Sequence, residues 1–226
     1  MVKEMETRYR WYKLKIPRGQ DIENKLKRYQ AQDRKHAVYF QGAEVGVEKF
    51  QYVSKKVIAF DLIDEDGNPG KGQVEAIEVT VFAFVKTGRK YFIRLENPSR
   101  NVGDLMSLLE KLVGFGFAIK PVVFSNLELG LAFGGVDEKK ITSLKVSNVV
   151  LGRDIVSQME FRSTSGLTPD KIKVLKGLSY KVDGIVYELY LQGISGRLSM
   201  SSSGVVRIAG RLAPRILDLL EEELPD

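Results

Sequence analysis

Strand-length segments cut by short turns follow one another along most of this chain, and that rhythm limits its fold more than any other feature. Residues 8–16 alternate in character and are rich in aromatics, the pattern of a strand, and Pro17-Arg18-Gly19 ends them. Further strands are expected at 37–41, 45–53 and 56–63, where Asp64 to Gly70 is a turn. Two more, at 74–85 and 89–95, flank Lys86-Thr87-Gly88, a hairpin loop. After two short strands within 115–133, others are expected at 143–151, 155–162, 180–191, 197–200 and 205–208.

Helical periodicity is confined to a few places. Asp21 can cap a helix with Ile22, Leu26 and Tyr29 on one side. Leu105, Leu108, Leu109 and Leu112 stripe a helix over 102–113, with Asn101 as its cap and Gly114 as its stop. A short helix is expected at 169–175 and a final one at 212–224, with Pro214 in its first turn. The fold class is therefore α+β, mainly antiparallel sheet with few helices. The boundaries read as an N-terminal half at 1–116, a connecting segment at 117–136 and a C-terminal half at 137–226. The halves are expected to repeat one strand–helix–sheet–helix plan.

Three short stretches carry a resemblance. Lys145-Val146-Ser147-Asn148-Val149-Val150, Gly177-Leu178-Ser179-Tyr180 and Ser201-Ser202-Ser203-Gly204-Val205-Val206 make the second half resemble one repeat of the TATA-box-binding protein family. In the first half only Lys86-Thr87-Gly88 and the following helix fit. That family places phenylalanines three residues before the hairpin glycine. This chain has Val85 and Ser201 there, with Phe84 and Met200 one residue further back, and about twenty residues at 115–133 have no counterpart. The resemblance implies minor-groove DNA binding through an open sheet face, with side chains wedged between base steps.

Composition narrows the chemistry. The absence of cysteine removes thiol nucleophiles, Cys-based zinc sites and Cys-ligated clusters, and it fits a reducing compartment. One histidine, His36, excludes any site needing two imidazoles from one chain. No apolar run reaches the roughly 18 residues of a membrane span. Met1 to Glu6 lacks the apolar core of a signal peptide, so a cytoplasmic protein with no membrane partner is expected.

Charge is uneven. The first 35 residues hold eleven Lys and Arg against five Asp and Glu, a local excess equal to the +6 of the whole chain. Arg8, Arg10, Lys13, Lys15 and Arg18 are interleaved with Tyr9, Trp11 and Tyr12, and Lys25 and Arg28 extend the series on the adjoining helix. Cations that neutralise phosphates beside rings that stack on bases are what flexible nucleic acid requires. Strand alternation puts Tyr9, Trp11, Lys13 and Lys15 on one face and Arg8, Arg10, Tyr12 and Leu14 on the other, so at least some of the aromatics must serve the core.

Other candidates have plainer readings. Arg197, Arg207 and Arg211 lie in the Gly/Ser-rich segment 192–211, which lacks the nucleotide-loop pattern and reads as a hairpin with serine-rich turns. Asp61, Asp64, Asp66, Glu75 and Glu78 lack the lysine of a metal-dependent nuclease and the spacing of a calcium loop. His36 has no identifiable nucleophile partner. The expectation is a non-enzymatic nucleic-acid-binding protein, for DNA or RNA, without a cofactor or metal. Its surface comprises Arg8, Tyr9, Arg10, Trp11, Lys13, Lys15, Arg18, Lys25 and Arg28. The alternatives are an adaptor or assembly subunit that binds other proteins through open sheet edges, then a carboxylate and divalent-metal-dependent nuclease-like enzyme.

Overall fold

A computed structural model describes residues 6–29, 36–44, 47–63, 65–99, 102–124, 135–152, 155–168 and 172–225. In chain order its first strands are β1 (Thr7–Lys15), β2 (His36–Glu44), β3 (Val47–Ile63), β4 (Pro69–Thr87), β5 (Lys90–Glu96) and β6 (Ala118–Pro121). There follow β7 (Glu138–Val150), β8 (Val156–Arg162), β9 (Lys181–Leu191), β10 (Ile194–Ser201) and β11 (Val205–Gly210). The helices are α1 (Ile22–Lys27), α2 (Gly103–Val113) and α3 (Ala213–Glu222). The registered strand pairs are antiparallel, so the expected sheet-dominated α+β class holds. No helix among the described residues is long and apolar enough to cross a membrane.

The chain packs into two compact units. A terminal unit takes Met1–Lys13, Lys86–Lys90 and Lys120–Asp226, and a middle unit takes Leu14–Val85 and Tyr91–Ile119. In the terminal unit the strand order is β1-β11-β10-β9-β7-β8, and in the middle unit β2-β3-β4-β5. These orders differ, so the connectivity does not display the repeated plan expected of the two halves.

Period-two alternation gives the terminal unit a one-sided sheet. Trp11, Val206, Ile208, Leu198, Met200, Ile185, Tyr187, Leu189 and Leu144 are all buried. Their register places them on one face. Burial alone pushes the Tyr187 phenol far above its ordinary pKa. Two elements cover this face. One is the 3-10 turn Lys173–Leu175, whose Leu175 joins Ile172, Val146 and Val149 in a cluster with Met159 and Phe161. The other is α3, which buries Ile216, Leu219 and Leu220. The β4–β5 hairpin meets the end of that helix and the chain just past it, Thr87 Oγ1 donating to Glu221 O (3.0 Å) and Lys90 Nζ to Leu224 O (3.4 Å).

Two glycines set how closely chains approach. A Cβ at Gly196 would lie 2.7 Å from Ile216 Cδ1 and 2.8 Å from Leu212 Cβ, so α3 sits directly on β10 there. At Gly204, where φ is +85°, a Cβ would lie 1.9 Å from Val122 O, because the stretch after β6 crosses the β10–β11 turn. Phe124 N donates to Ser202 O (3.2 Å) at the same crossing.

The middle unit is built on stacked aromatics, Phe50 against Phe82 (5.4 Å between centroids) and Phe84 against Tyr91 (5.7 Å). Ile22 and Leu26 of α1 are buried, as are Leu105, Leu109 and Val113 of α2. Tyr91 donates to Glu23 Oε1 (3.0 Å), and its burial together with that carboxylate pushes the phenol far above its usual range.

Several boundaries differ from expectation. The strands expected at 45–53 and 56–63 are one strand, β3, because β4 pairs it without interruption from Lys49↔Ala83 to Ile63↔Pro69. That backbone ladder overrides the polar Ser54-Lys55-Lys56. On α2 the buried stripe is Leu105, Leu109 and Val113, with Leu108 and Leu112 half-buried. Asn101, residues 125–134 and residues 169–171 lie outside the described residues. Gly196→Val should lower stability by about 1–3 kcal/mol, the usual cost of overpacking. Denaturant midpoints check this, and an unchanged midpoint would contradict the seating of α3 on β10.

Candidate nucleic-acid interface

The strand alternation that sends Trp11 inward sends Arg8 and Arg10 to the opposite face. Register then decides their neighbours. Arg8 stands directly opposite Arg207 of β11, which stands opposite Ser199 of β10, while Arg197 pairs with Ala209 one step along. Arg8, Arg10, Arg197 and Arg207 therefore share the outward face of three adjacent strands. Arg197 and Arg207 are exposed and Arg8 and Arg10 half-buried. Arg207 reaches Glu6 at 3.8 Å, and the Arg10 guanidinium lies 5.4 Å from the centre of the Tyr12 ring. Burial raises the Tyr12 phenol above its ordinary pKa, and the Arg10 charge partly offsets this.

Further along the same face, positive charge is neutralised locally. Arg162 Nε lies 2.8 Å from Glu160 and Lys140 Nζ 3.1 Å from Glu138. The hydrogen bond from Arg162 holds the Glu160 carboxyl below the usual range, and the one to Glu138 raises Lys140. The arginines concentrate at the β1–β11–β10 side, where like charges directly across a strand pair disfavour the sheet by a few tenths to 1 kcal/mol.

The expected surface is thus redistributed. Trp11 is 0% exposed and its Nε1 donates to Glu221 Oε1 at 3.0 Å, so this ring is a core anchor and not a base-stacking platform. Tyr9, half-buried, stacks on Trp11 at 5.8 Å on the same inward side. Tyr12 is buried and Lys13 half-buried. Lys15, Arg18, Lys25 and Arg28 belong to the middle unit. Lys25 there donates to Leu112 O (2.9 Å), holding the end of α2, whereas Lys15, Arg18 and Arg28 are exposed. Arg207 and Arg197 complete the cluster. Their own segment advertises only charge, because their nearness to Arg8 arises from pairing across about two hundred residues of chain.

The remaining candidates resolve into structure. Ser201 Oγ bonds Ser203 Oγ (2.8 Å) and Val205 O (3.2 Å), so the serine-rich turn largely satisfies itself. Phe84, Val85 and Met200 are buried, so the wedges implied by the family resemblance are not presented. Asp61 faces Lys71 across the β3–β4 hairpin, and Glu78 pairs with Lys56 at 2.5 Å. Among the described residues no three of His, Asp and Glu converge as a metal would need. His36 Nδ1 lies 2.7 Å from the Tyr52 hydroxyl, beside a cavity of about 360 Å³ that Asp104, Ser107 and Lys111 also line.

No known protein family and no curated protein matches the sequence. The site therefore stands on its geometry. Since Trp11 is the only tryptophan, intrinsic fluorescence reports on it directly. Its emission should be blue-shifted, poorly quenched by iodide and unaltered by saturating oligonucleotide. Quenching on binding would return the ring to the interface.

Proposed function

We propose that this is a non-enzymatic nucleic-acid-binding protein that takes the sugar-phosphate backbone on the outward face of the terminal unit's sheet. The observation that carries the reading is the Arg8↔Arg207 pair, flanked on that face by Arg10 and Arg197. Juxtaposed guanidinium groups on an open sheet are unfavourable alone and favourable around a shared anion, and arginine's planar fork suits phosphate oxygens. Ser199, across from Arg207, adds a neutral donor. Contacts of this kind position a nucleic acid without reading its sequence. Ring stacking contributes less than the sequence suggested, because Trp11 turns to the inward face and Tyr12, although it shares the face of Arg8 and Arg10, is itself buried.

The second reading, an assembly subunit, draws support from another part of the molecule, the exposed β3–β4 hairpin of the middle unit.

Anisotropy titrations of a labelled oligonucleotide from about 50 to 200 mM salt test the proposal. Affinity should fall steeply, with a slope of about 0.9 per phosphate neutralised on duplex and about 0.7 on single strands. Replacing Arg8, Arg197 and Arg207 with glutamine should flatten that slope by two to three such units, leaving the thermal melt intact. Arg207→Glu separates binding from folding. It exchanges the contact with Glu6 for one with Arg8, so stability should change by no more than about 1 kcal/mol while binding is abolished. A slope indifferent to all three arginines would sink the assignment.

A further inference from the structure

The cavity beside His36 takes its lining wholly from the middle unit, and that lining is ordered along one helix. Asp104, Ser107, Leu108 and Lys111 of α2 form one side of it. Their spacing, i, i+3, i+4 and i+7, is that of a single helical face. Tyr29, His36 and Tyr52 form the other side. The volume, about 360 Å³, lies in the range of small-molecule pockets. Rings and leucines with a few polar groups among them are the usual composition of such pockets.

The helical side sets the length and polarity of what fits. Asp104 and Lys111 stand two turns apart, about 10.5 Å along the axis, too far to pair with each other. Among the described residues neither has another ion-pair partner. Leu108 lies between them, with the Ser107 hydroxyl beside it. A ligand that meets all four is about 10 Å long. It carries a hydrogen-bond donor at one end, for the carboxylate, and an anion at the other, for the ammonium. An amino acid bears its ammonium and carboxylate on one carbon and cannot span both charges.

The opposite side favours a flat ring. The His36 and Tyr52 rings stack at 5.8 Å between centroids and 14° between planes. Tyr52 is buried and His36 half-buried, so the imidazole is the more accessible of the pair. The 2.7 Å bond between the Tyr52 hydroxyl and Nδ1 holds that ring in place. When the hydroxyl donates, Nε2 carries the imidazole proton and is itself a donor. A fixed aromatic plane takes a nucleobase face to face. We propose that the cavity is a site for a nucleoside monophosphate with an amino-bearing base. The base stacks on His36, its exocyclic amine donates to Asp104, the sugar passes Ser107 and the phosphate meets Lys111. This site is independent of the arginine face, and neither assignment requires the other.

Isothermal titration of the full chain with AMP should give saturable binding with a Kd below about 1 mM. IMP, which has an oxygen in place of the amine, should bind at least about tenfold more weakly. Because His36 is the only histidine, its ring protons give isolated NMR signals in the unaltered protein, and AMP should shift them. Lys111→Met should weaken AMP at least about tenfold while leaving adenosine unchanged. Asp104→Ala should remove the preference for AMP over IMP. Asp104 in the first turn and Lys111 in the last also complement the helix dipole, so thermal melts accompany each titration to show that the variants are folded. Arg8→Gln and Arg207→Gln should leave AMP binding unchanged, whatever they do to oligonucleotides. AMP that fails to bind below about 1 mM overturns the proposal. So do equal affinities for AMP and IMP, or a folded Lys111→Met chain that binds AMP as before. AMP binding lost with Arg207→Gln also overturns it, by placing the nucleotide on the arginine face.

Discussion

The terminal unit depends on one pairing, the antiparallel ladder between β1 and β11. It joins a strand that starts at Thr7 to one that ends at Gly210, with Thr7 opposite Ile208 and Arg10 opposite Val205. A slip of one residue would turn every side chain of β1 to the opposite face. Trp11 would then leave the core, and Arg8 would leave Arg207. The register that buries the unit's largest side chain is thus the register that assembles the arginine cluster, and neither can change without the other.

The indole enforces that register chemically as well as sterically. Buried Trp11 needs an acceptor for its Nε1 proton, and Glu221 of α3, itself 8% exposed, provides one at 3.0 Å. Leaving such a donor unmet in the interior costs about 1–3 kcal/mol, a large share of a typical domain's net stability. The Glu221 oxygen is in turn supplied with a donor in the interior. Helix α3 is therefore tied to β1 by a polar contact and to β10 by the close approach at Gly196.

The middle unit faces a different physical problem. Its aromatic core around Phe50, Phe82 and Phe84 is closed, but β3 and β4 run on beyond it as a hairpin whose apolar residues find no cover within their own two strands. Long exposed strands usually carry charges on both faces as protection against pairing. Here charge is confined to one face, the base and the tip. An arginine-lined sheet in one unit and an apolar hairpin in the other give the molecule two surfaces with separate chemistries.

Much of this was legible locally. The strand alternation of β1, the Asp21 cap of α1, the hairpin at Lys86-Thr87-Gly88 and the apolar stripe of α3 depend on neighbours a few residues apart, so periodicity and turn chemistry determined them. The concentration of cations near the N-terminus was equally a property of sequence alone. What alternation left open was which face of β1 would be buried. Only the tertiary structure decided that Trp11 turns toward α3, that β3 continues as one strand because β4 pairs all of it, and that Arg8 meets Arg207 across about two hundred residues. The reason is that register and burial belong to strand pairs and packed layers. Their energies arise only when distant segments meet, and no window of the chain contains both partners.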